Sequence, residues 1–215
     1  MSNFQKLTIV ILSYNRPYNL SKLIFKIYPL VKKYKIRLII LDDASSFKIK
    51  SIMRIFSKNY KYFQYIRNKK NIGHDKNFLK ALNLCKTDYL WVVSDSLNFN
   101  KKNFIGLEKY LNGKNDLIII KSKERDLNIS QEQKKFDKDL FLESLAWHCC
   151  LLGSSLISKK LFKNKTYSNL KSFKNFPHIG LIFSFAGENK LNFKIYSKKI
   201  LSSFNKESYW VRSIF

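Results

Sequence analysis

The segment Tyr89-Leu90-Trp91-Val92-Val93-Ser94-Asp95-Ser96 limits the fold more than any other stretch of the chain. Five of its first six residues are apolar or aromatic, several with high strand propensity. A continuous apolar run of strand length, closed by polar residues, fits a central parallel strand covered on both faces. In open α/β sheets, ligands sit in the crevice beyond the carboxyl ends of the strands. Asp95 falls at that end. Read alone, Asp95 is better explained as a helix cap or the start of a turn; its setting in the rest of the chain changes that weighting.

Leu7 to Leu12 is a first strand, β-branched and bounded by Ser13-Tyr14-Asn15-Arg16-Pro17. Pro17 suits the first turn of a helix. Leu20, Leu23, Ile24, Ile27, Leu30 and Val31 keep helical spacing, and Pro29 is expected to kink or end that helix early. Arg37 to Leu41 is a second strand and runs into Asp42-Asp43-Ala44-Ser45-Ser46. A helix over about Ile49 to Ser57 and a strand over Tyr62 to Arg67 follow. Asn71-Ile72-Gly73-His74-Asp75-Lys76-Asn77 opens another helix, with Phe78, Leu79, Leu82 and Cys85 on one face. Its glycine can take a φ that other residues avoid. Phe104 to Leu111 reads as a helix and Leu117 to Ile120 as a fifth strand. Alternating strands and helices mean βαβ units, a mostly parallel central sheet flanked by helices, and right-handed crossovers.

The second part is less regular. Glu124 to Lys138 is polar and charged and reads as a mobile loop. Leu140 to Trp147 reads as a helix. The apolar stretch from Cys149 to Ile157 is interrupted by Gly153-Ser154-Ser155, and Ile157 to Phe162 is expected to turn into a short helix. Phe176-Pro177-His178 opens a helix to about Gly187, and Phe193 to Ile195 reads as a strand. Tyr209-Trp210-Val211-Arg212-Ser213-Ile214-Phe215 is too apolar for a finished tail. It marks a truncated chain, or a segment that docks on a membrane or on a further piece. No repeat or long linker divides the chain, so residues 1–215 are read as one domain.

Hydrophobic residues make up 45% of the 215, which excludes a disordered composition. No apolar run reaches the length of a membrane span. The N-terminus enters a strand without a signal-peptide pattern, so a cytoplasmic location is the expectation. Cys85, Cys149 and Cys150 are an odd set with no zinc spacing and read as reduced thiols. The formal net charge of +26 raises nucleic acid or an anionic membrane as a partner. The excess is nearly all lysine, spread along the chain among Asn, Ile, Phe and Tyr, as an AT-rich codon bias would give. Lysine is a less committed phosphate reader than arginine. With no zinc finger and no aromatic-basic platform for single strands, no nucleic acid is expected. The charge fits better an enzyme resting on an anionic inner leaflet, and it favours a phosphorylated substrate.

Ser13-Tyr14-Asn15-Arg16, Asp42-Asp43 and Asp95-Ser96 lie at three strand ends, which share one edge of a parallel sheet. Carboxylates gathered there beside Tyr14 and the Gly73 loop can hold a nucleotide. A tyrosine ring stacks on a base, a carboxylate accepts from base or ribose, and a carboxylate binds a diphosphate through Mg²⁺ or Mn²⁺. No glycine-rich fingerprint follows the first strand, which argues against a dinucleotide site and a P-loop.

This constellation resembles the family 2 glycosyltransferases with the GT-A fold, a Rossmann-like α/β architecture. The resemblance rests on Thr8 to Arg16, Ile39 to Ser45, Asn71 to Asn77 and Tyr89 to Ser96, in that order. His148 to Phe162 and Phe176 to Gly187 are similar to the acceptor half. Within the family, the pattern is closest to abequosyltransferase-like bacterial enzymes that build surface glycans such as capsule, lipooligosaccharide or O-antigen. The resemblance implies a nucleotide-sugar-binding half over residues 1–121 and an acceptor half over 122–215. It implies a nucleoside diphosphate-sugar donor, a glycan or lipid-linked glycan acceptor, and an inverting course. Ser13, Tyr14, Asn15, Arg16, Asp42, Asp43, Gly73, Asn77 and Asp95 would bind the donor. Tyr14 would stack near the base, Asp42 would read it, and Asp43 would order that loop. Asp95 would face the ribose or a Mn²⁺- or Mg²⁺-bound diphosphate. Gly73 is a structural member of this set, and His74 and Asp75 are expected to cap their helix. Trp210 would belong to a loop over the donor.

The chain departs from the family pattern twice. The family motif usually offers two or three acidic residues, whereas Asp95 is followed by Ser96 and Leu97. A single carboxylate holds Mg²⁺ or Mn²⁺ only with help from phosphates and water. Where relatives carry an acidic pair before a helix, this chain has Phe176-Pro177-His178. His178 is the candidate base, its imidazole titrating near neutrality, and His148 a weaker one. Two alternatives stay open: a non-catalytic module that binds nucleotide-sugar or glycan, and a basic nucleic-acid-binding protein.

Overall fold

A computed structural model describes residues 2–47, 49–122, 139, 141–163, 168–188 and 191–203. The polar stretch 124–138 and the apolar tail with Trp210 lie outside the described residues. The strands are β1 (Leu7–Ser13), β2 (Arg37–Asp42), β3 (Phe63–Arg67), β4 (Tyr89–Ser94), β5 (Leu97–Phe99), β6 (Leu117–Ser122), β7 (Ser155–Ser158) and β8 (Phe193–Ser203). They form one sheet in the order β3-β2-β1-β4-β7-β6-β8-β5. The first four are parallel. β7 runs antiparallel to both β4 and β6, β6 pairs parallel with β8, and β5 pairs antiparallel with β8. The result is a mixed α/β sheet whose parallel part carries the expected strand ends.

Alternate side chains of the buried strands feed two apolar layers, as the twofold pleat requires. Ile9, Ile11, Leu38, Ile40, Trp91 and Val93 share one layer with Leu20, Leu23, Ile24 and Ile27 of α1 (Pro17–Tyr34) and with Met53 and Phe56 of α2 (Lys50–Asn59). Val10, Leu12, Ile39, Leu41, Leu90 and Val92 share the other with Phe78 and Leu82 of α3 (His74–Leu84) and with Ile182 of the Pro177–Glu188 helix. All seven residues of β1 are buried, which makes it the spine between the layers.

Several expectations need correction. α1 does not end at Pro29 but continues to Tyr34, because Ile27 and Val31 on either side stay buried. The region expected as one helix over Phe104 to Leu111 is an α-turn at Lys101–Phe104 followed by a 3₁₀ segment at Ile105–Tyr110. The short helix expected over Ile157 to Phe162 is a 3₁₀ helix at Lys159–Leu161, while Ile157 and Ser158 belong to β7. The Leu140 to Trp147 expectation resolves into a π-turn at Phe141–Leu145 and an α-turn at Ala146–Cys149. β8 is longer than the expected Phe193 to Ile195. The three cysteines are free thiols, and burial pushes that of Cys85 up. Among the described residues, no helix is long and apolar enough to cross a membrane.

Candidate active site at the carboxyl edge of the sheet

β1 and β4 pair in register with Leu12 opposite Ser94, which sets Ser13 beside Asp95. The Asp95 N–H donates to the Leu12 carbonyl at 3.2 Å, holding the chain as it leaves the sheet. The Ser13 hydroxyl donates to Asp95 Oδ2 at 2.7 Å, and the Arg16 guanidinium lies 3.5 Å from Oδ1. Asp95 is only 2% exposed. Burial pushes its carboxyl above the usual range, with the Ser13 hydrogen bond and the Arg16 charge pulling the other way. The Arg16 side chain is 50% exposed, so this edge presents a cation to solvent over a buried anion. Ser96 stands where a second carboxylate was sought, its hydroxyl 2.8 Å from that of Ser94.

Asp42, expected to read the base, has both carboxylate oxygens engaged within the protein. It is fully buried. Its Oδ1 accepts from the Ser45 N–H at 2.9 Å and the Ser45 hydroxyl at 2.6 Å, and its Oδ2 accepts from the Tyr65 hydroxyl at 2.6 Å. Arg67 Nε lies 3.5 Å from the same Oδ2. These partners tie Asp42 into the loop after β2 and to β3. The Ser45 hydroxyl accepts from the Asn15 N–H at 2.9 Å, and the Asn15 side-chain oxygen accepts from the Ser46 N–H at 2.7 Å. Asn15 takes a left-handed φ of 53° to do so. The loops after β1 and β2 are thus clasped together.

Asp43 does order its loop. Its oxygens accept from the Ile72 and Gly73 N–H groups, each at 2.9 Å, and from the Asn68 amide at 2.7 Å. Gly73 has φ 83°, a conformation that suits glycine, and it stands just before α3. Asn77 is buried, and its oxygen accepts from Asn68 at 3.1 Å. Gly73 and Asn77 therefore brace Asp43. His74 and Asp75 do not cap α3. Their side chains lie 3.1 Å apart, and Asp75 accepts from the Asn175 N–H at 3.0 Å. Tyr14, in the same loop as Arg16, is 46% exposed.

Ser45, Tyr65, Arg67 and Asn68 carry much of this framework without having been singled out. Their signal was the polar close of β3, Arg67-Asn68, beside the Asp42-Asp43 end.

His178 is not at that edge. It is 4% exposed in the apolar layer with α3, and lines a small pocket with Phe78, Val92, Leu152, Gly153, Ser155 and Ile157. Gly153 lets this turn close: a Cβ there would come within 2.9 Å of Leu97, and its carbonyl accepts from Trp91 Nε1 at 2.6 Å. His178 Nε2 lies 2.9 Å from the Cys149 carbonyl. A carbonyl oxygen only accepts, so the neutral ring carries its proton on Nε2 and leaves Nδ1 as a lone pair. That Nδ1 and the Ser155 hydroxyl are both buried without a partner among the described residues. Burial, helped by the charge of His74, lowers the His178 pKa from 6.5 to about 4. His148 is buried, with Nε2 2.8 Å from the Ile120 carbonyl, and secures β6.

Among the described residues, no group of three or more His, Cys, Asp or Glu could hold a metal ion. The residues present fit an ion that arrives with phosphate oxygens. One carboxylate plus substrate phosphates and water is an ordinary set for Mg²⁺. Oδ1 of Asp95, 3.5 Å from the half-exposed Arg16 guanidinium, is the oxygen nearest that cation and would meet the ion.

A profile described as glycosyl transferase family 2 matches residues 8–164. The abequosyltransferase RfbV of Salmonella typhimurium is 28% identical over 169 residues, which cover 69% of this chain and 51% of that protein. The chain thus spans about half the length of the curated relative it matches. The crystal structure of S. aureus TarS 1–349 in complex with UDP-GlcNAc aligns with a TM-score of 0.66 at 16% identity, over 97% of this chain and 61% of that one. The mannosyltransferase PcManGT from Pyrobaculum calidifontis, in complex with GDP-Man and Mn²⁺, aligns with a TM-score of 0.68 at 12% identity, over 97% and 60%. At such identities the likeness shows the fold, and these neighbours are GT-A glycosyltransferases.

Proposed function

The chain belongs to glycosyl transferase family 2, and from that premise we propose that it moves a sugar from a nucleoside diphosphate-sugar to a hydroxyl of a bacterial surface glycan, with inversion. The observation that supports this reading is the buried Asp95 paired with the half-exposed Arg16, with Tyr14 exposed in the same loop as Arg16. Tyr14 stacks on the base, Arg16 faces the diphosphate, and Asp95 meets the ribose or the diphosphate. Ser13, Asn15, Asp42, Asp43, Gly73 and Asn77 hold the loops that place them. A divalent ion carried in on the diphosphate, Mn²⁺ or Mg²⁺ with Asp95 as this chain's ligand, would supply charge neutralisation for the leaving group.

In an inverting transfer, the acceptor oxygen bonds to the anomeric carbon as the bond to the diphosphate oxygen breaks. The hydroxyl proton passes to a base. We assign that role to His178, whose Nδ1 lone pair has no partner among the described residues; the acceptor hydroxyl would have to enter the small pocket that His178 lines. A pKa lowered to about 4 makes it a weak base on its own.

The test is calorimetric binding of UDP, CDP, GDP and dTDP, each with Mn²⁺ and with EDTA. One nucleotide is expected to bind, with loss in Tyr14→Ala and Arg16→Met. Binding that survives EDTA makes Asp95 a direct ribose or diphosphate contact. No binding to any of the four by the folded chain overturns the reading. The lone carboxylate favours a second reading, a non-catalytic nucleotide-sugar or glycan-binding module, which donor turnover excludes.

A further inference from the structure

The outer face of α1 and α2 has an unusual make-up. Tyr18, Lys22, Phe25, Pro29 and Lys32 recur at helical spacing along one side of α1, and all five are exposed. On α2, Lys50, Arg54, Ile55 and Lys58 are exposed, and Phe47 is exposed just before it. Tyr18 is 74% exposed, Phe25 63%, Ile55 62% and Phe47 56%. The two helices pack side by side here, the Phe25 ring meeting the buried Phe56 of α2 edge-on at 5.4 Å. Neither helix contains an Asp or Glu, while α1 carries Lys22, Lys26, Lys32 and Lys33 and α2 carries Lys50, Arg54 and Lys58. An exposed apolar patch rimmed by polar residues marks an interaction site.

We propose that this face rests on an anionic lipid bilayer, with Phe25, Ile55, Tyr18 and Phe47 entering the headgroup layer and the surrounding lysines and Arg54 meeting lipid phosphates. The overall lysine excess is spread along the chain and selects no surface. What selects this one is the coincidence of exposed aromatic and aliphatic tips with cations that have no carboxylate on either helix. Aromatic side chains and lysines on a helix lying in the interface are how a peripheral protein combines apolar burial with charge attraction. α1 starts one residue beyond Arg16, so the bilayer would flank the loop that carries Tyr14, where a lipid-linked acceptor has a short path. The inference does not depend on the transfer reading, since lipid binding is read without turnover.

The experiment is co-sedimentation of the full chain with vesicles of phosphatidylcholine alone and of equal parts phosphatidylcholine and phosphatidylglycerol. Binding is expected only to the second, weakening as salt rises. Phe25→Ser with Ile55→Ser should lower partitioning at least about tenfold through lost apolar burial. Lys22→Glu, Arg54→Glu and Lys58→Glu together should lower it by on the order of a hundredfold. The same charge change at the exposed Lys109, Lys114 and Lys163 should matter several times less. Because Phe25 is exposed, Phe25→Trp keeps the fold, and its emission should shift to the blue on anionic vesicles alone. The proposal is overturned if the Phe25/Ile55 pair leaves binding unchanged, or if the distant lysines matter as much. It is equally overturned if the chain ignores vesicles while duplex DNA or an acidic polypeptide binds through this same face.

Discussion

Ser13 donates its hydroxyl to Asp95 Oδ2 at 2.7 Å, tying together the carboxyl ends of two neighbouring parallel strands. The bond replaces water for a carboxylate that is 2% exposed. Removing a donor from a buried charged group leaves its desolvation uncompensated, at about 1–3 kcal/mol. Ser13→Ala should therefore unfold earlier in urea by that margin and also bind its nucleotide more weakly. Ser13→Thr, which keeps the hydroxyl, should recover most of both. A Ser13→Ala variant with wild-type stability would show that Asp95 does not need this donor.

Asp95→Asn should separate stability from function. Burial holds the carboxyl above its ordinary 3.8. A group that binds its proton more tightly in the folded state stabilises the fold below its unfolded pKa, and that contribution is lost as pH rises through the raised value. At neutral pH the wild type thus carries a costly buried charge. The asparagine should be more stable there by about 1 kcal/mol, the gap closing as pH falls toward 3.8. Sugar transfer should fall by about a hundredfold or more. A variant that is less stable at neutral pH would mean that Ser13 and Arg16 already more than offset the burial.

Arg16 is half exposed and makes one contact, at 3.5 Å, to Asp95. Arg16→Met should change stability by less than about 0.5 kcal/mol. Its effect should lie in phosphate recognition: affinity for the nucleoside diphosphate should drop about tenfold or more, and affinity for the free nucleoside should hardly change. Arg16→Lys should recover only part, since an ammonium lacks the planar fork. Equal losses for nucleoside and nucleoside diphosphate would place Arg16 away from the phosphates.

The parallel half of the sheet was legible because β1, β2 and β4 are mainly apolar runs with polar ends, and a buried strand needs little else. β7 was not legible. Ser155 to Ser158 is short, and Ile157 to Phe162 has spacing that suits a helix equally well. Its strand form comes from pairing with β4 on one side and β6 on the other, 65–69 and 36–40 residues back in sequence, which local pattern does not encode. The three-residue β5 exists because β8 returns to pair with it. At the site, the acidic residues at the strand ends were legible in the sequence, but the direction each carboxylate faces was not. Asp42 turns inward because Ser45 and Tyr65 reach it, and only the folded chain places them there.

That inward turn makes Asp42 testable as a scaffold residue. Asp42→Ala strands the Ser45 N–H and the buried hydroxyls that it pairs, so stability should fall by about 2–4 kcal/mol. Nucleotide affinity should fall as well, because the Asn15–Ser45 clasp loses its anchor. Tyr65→Phe removes a donor to Asp42 without touching the edge, and should reproduce part of the stability loss with little change in affinity. If Asp42→Asn kept full stability yet changed which base is preferred, the carboxylate would be reading the base after all.

His178 gives the clearest pH signature. Its pKa is lowered from 6.5 to about 4, chiefly by burial and secondarily by the His74 charge. The unfolded chain therefore binds this proton more readily than the folded one. The stability it permits is complete above 6.5 and is lost as pH falls through about 4. Urea titrations across that window should show a slope that His178→Gln removes. As a base, His178 is already deprotonated throughout, so kcat/KM of the wild type should stay flat well below 6.5. Transfer by His178→Gln should fall by about 10²-fold or more if Nδ1 takes the acceptor proton. A loss of only a few fold, with an altered KM for the acceptor, would make His178 a residue that shapes the pocket beside Ser155.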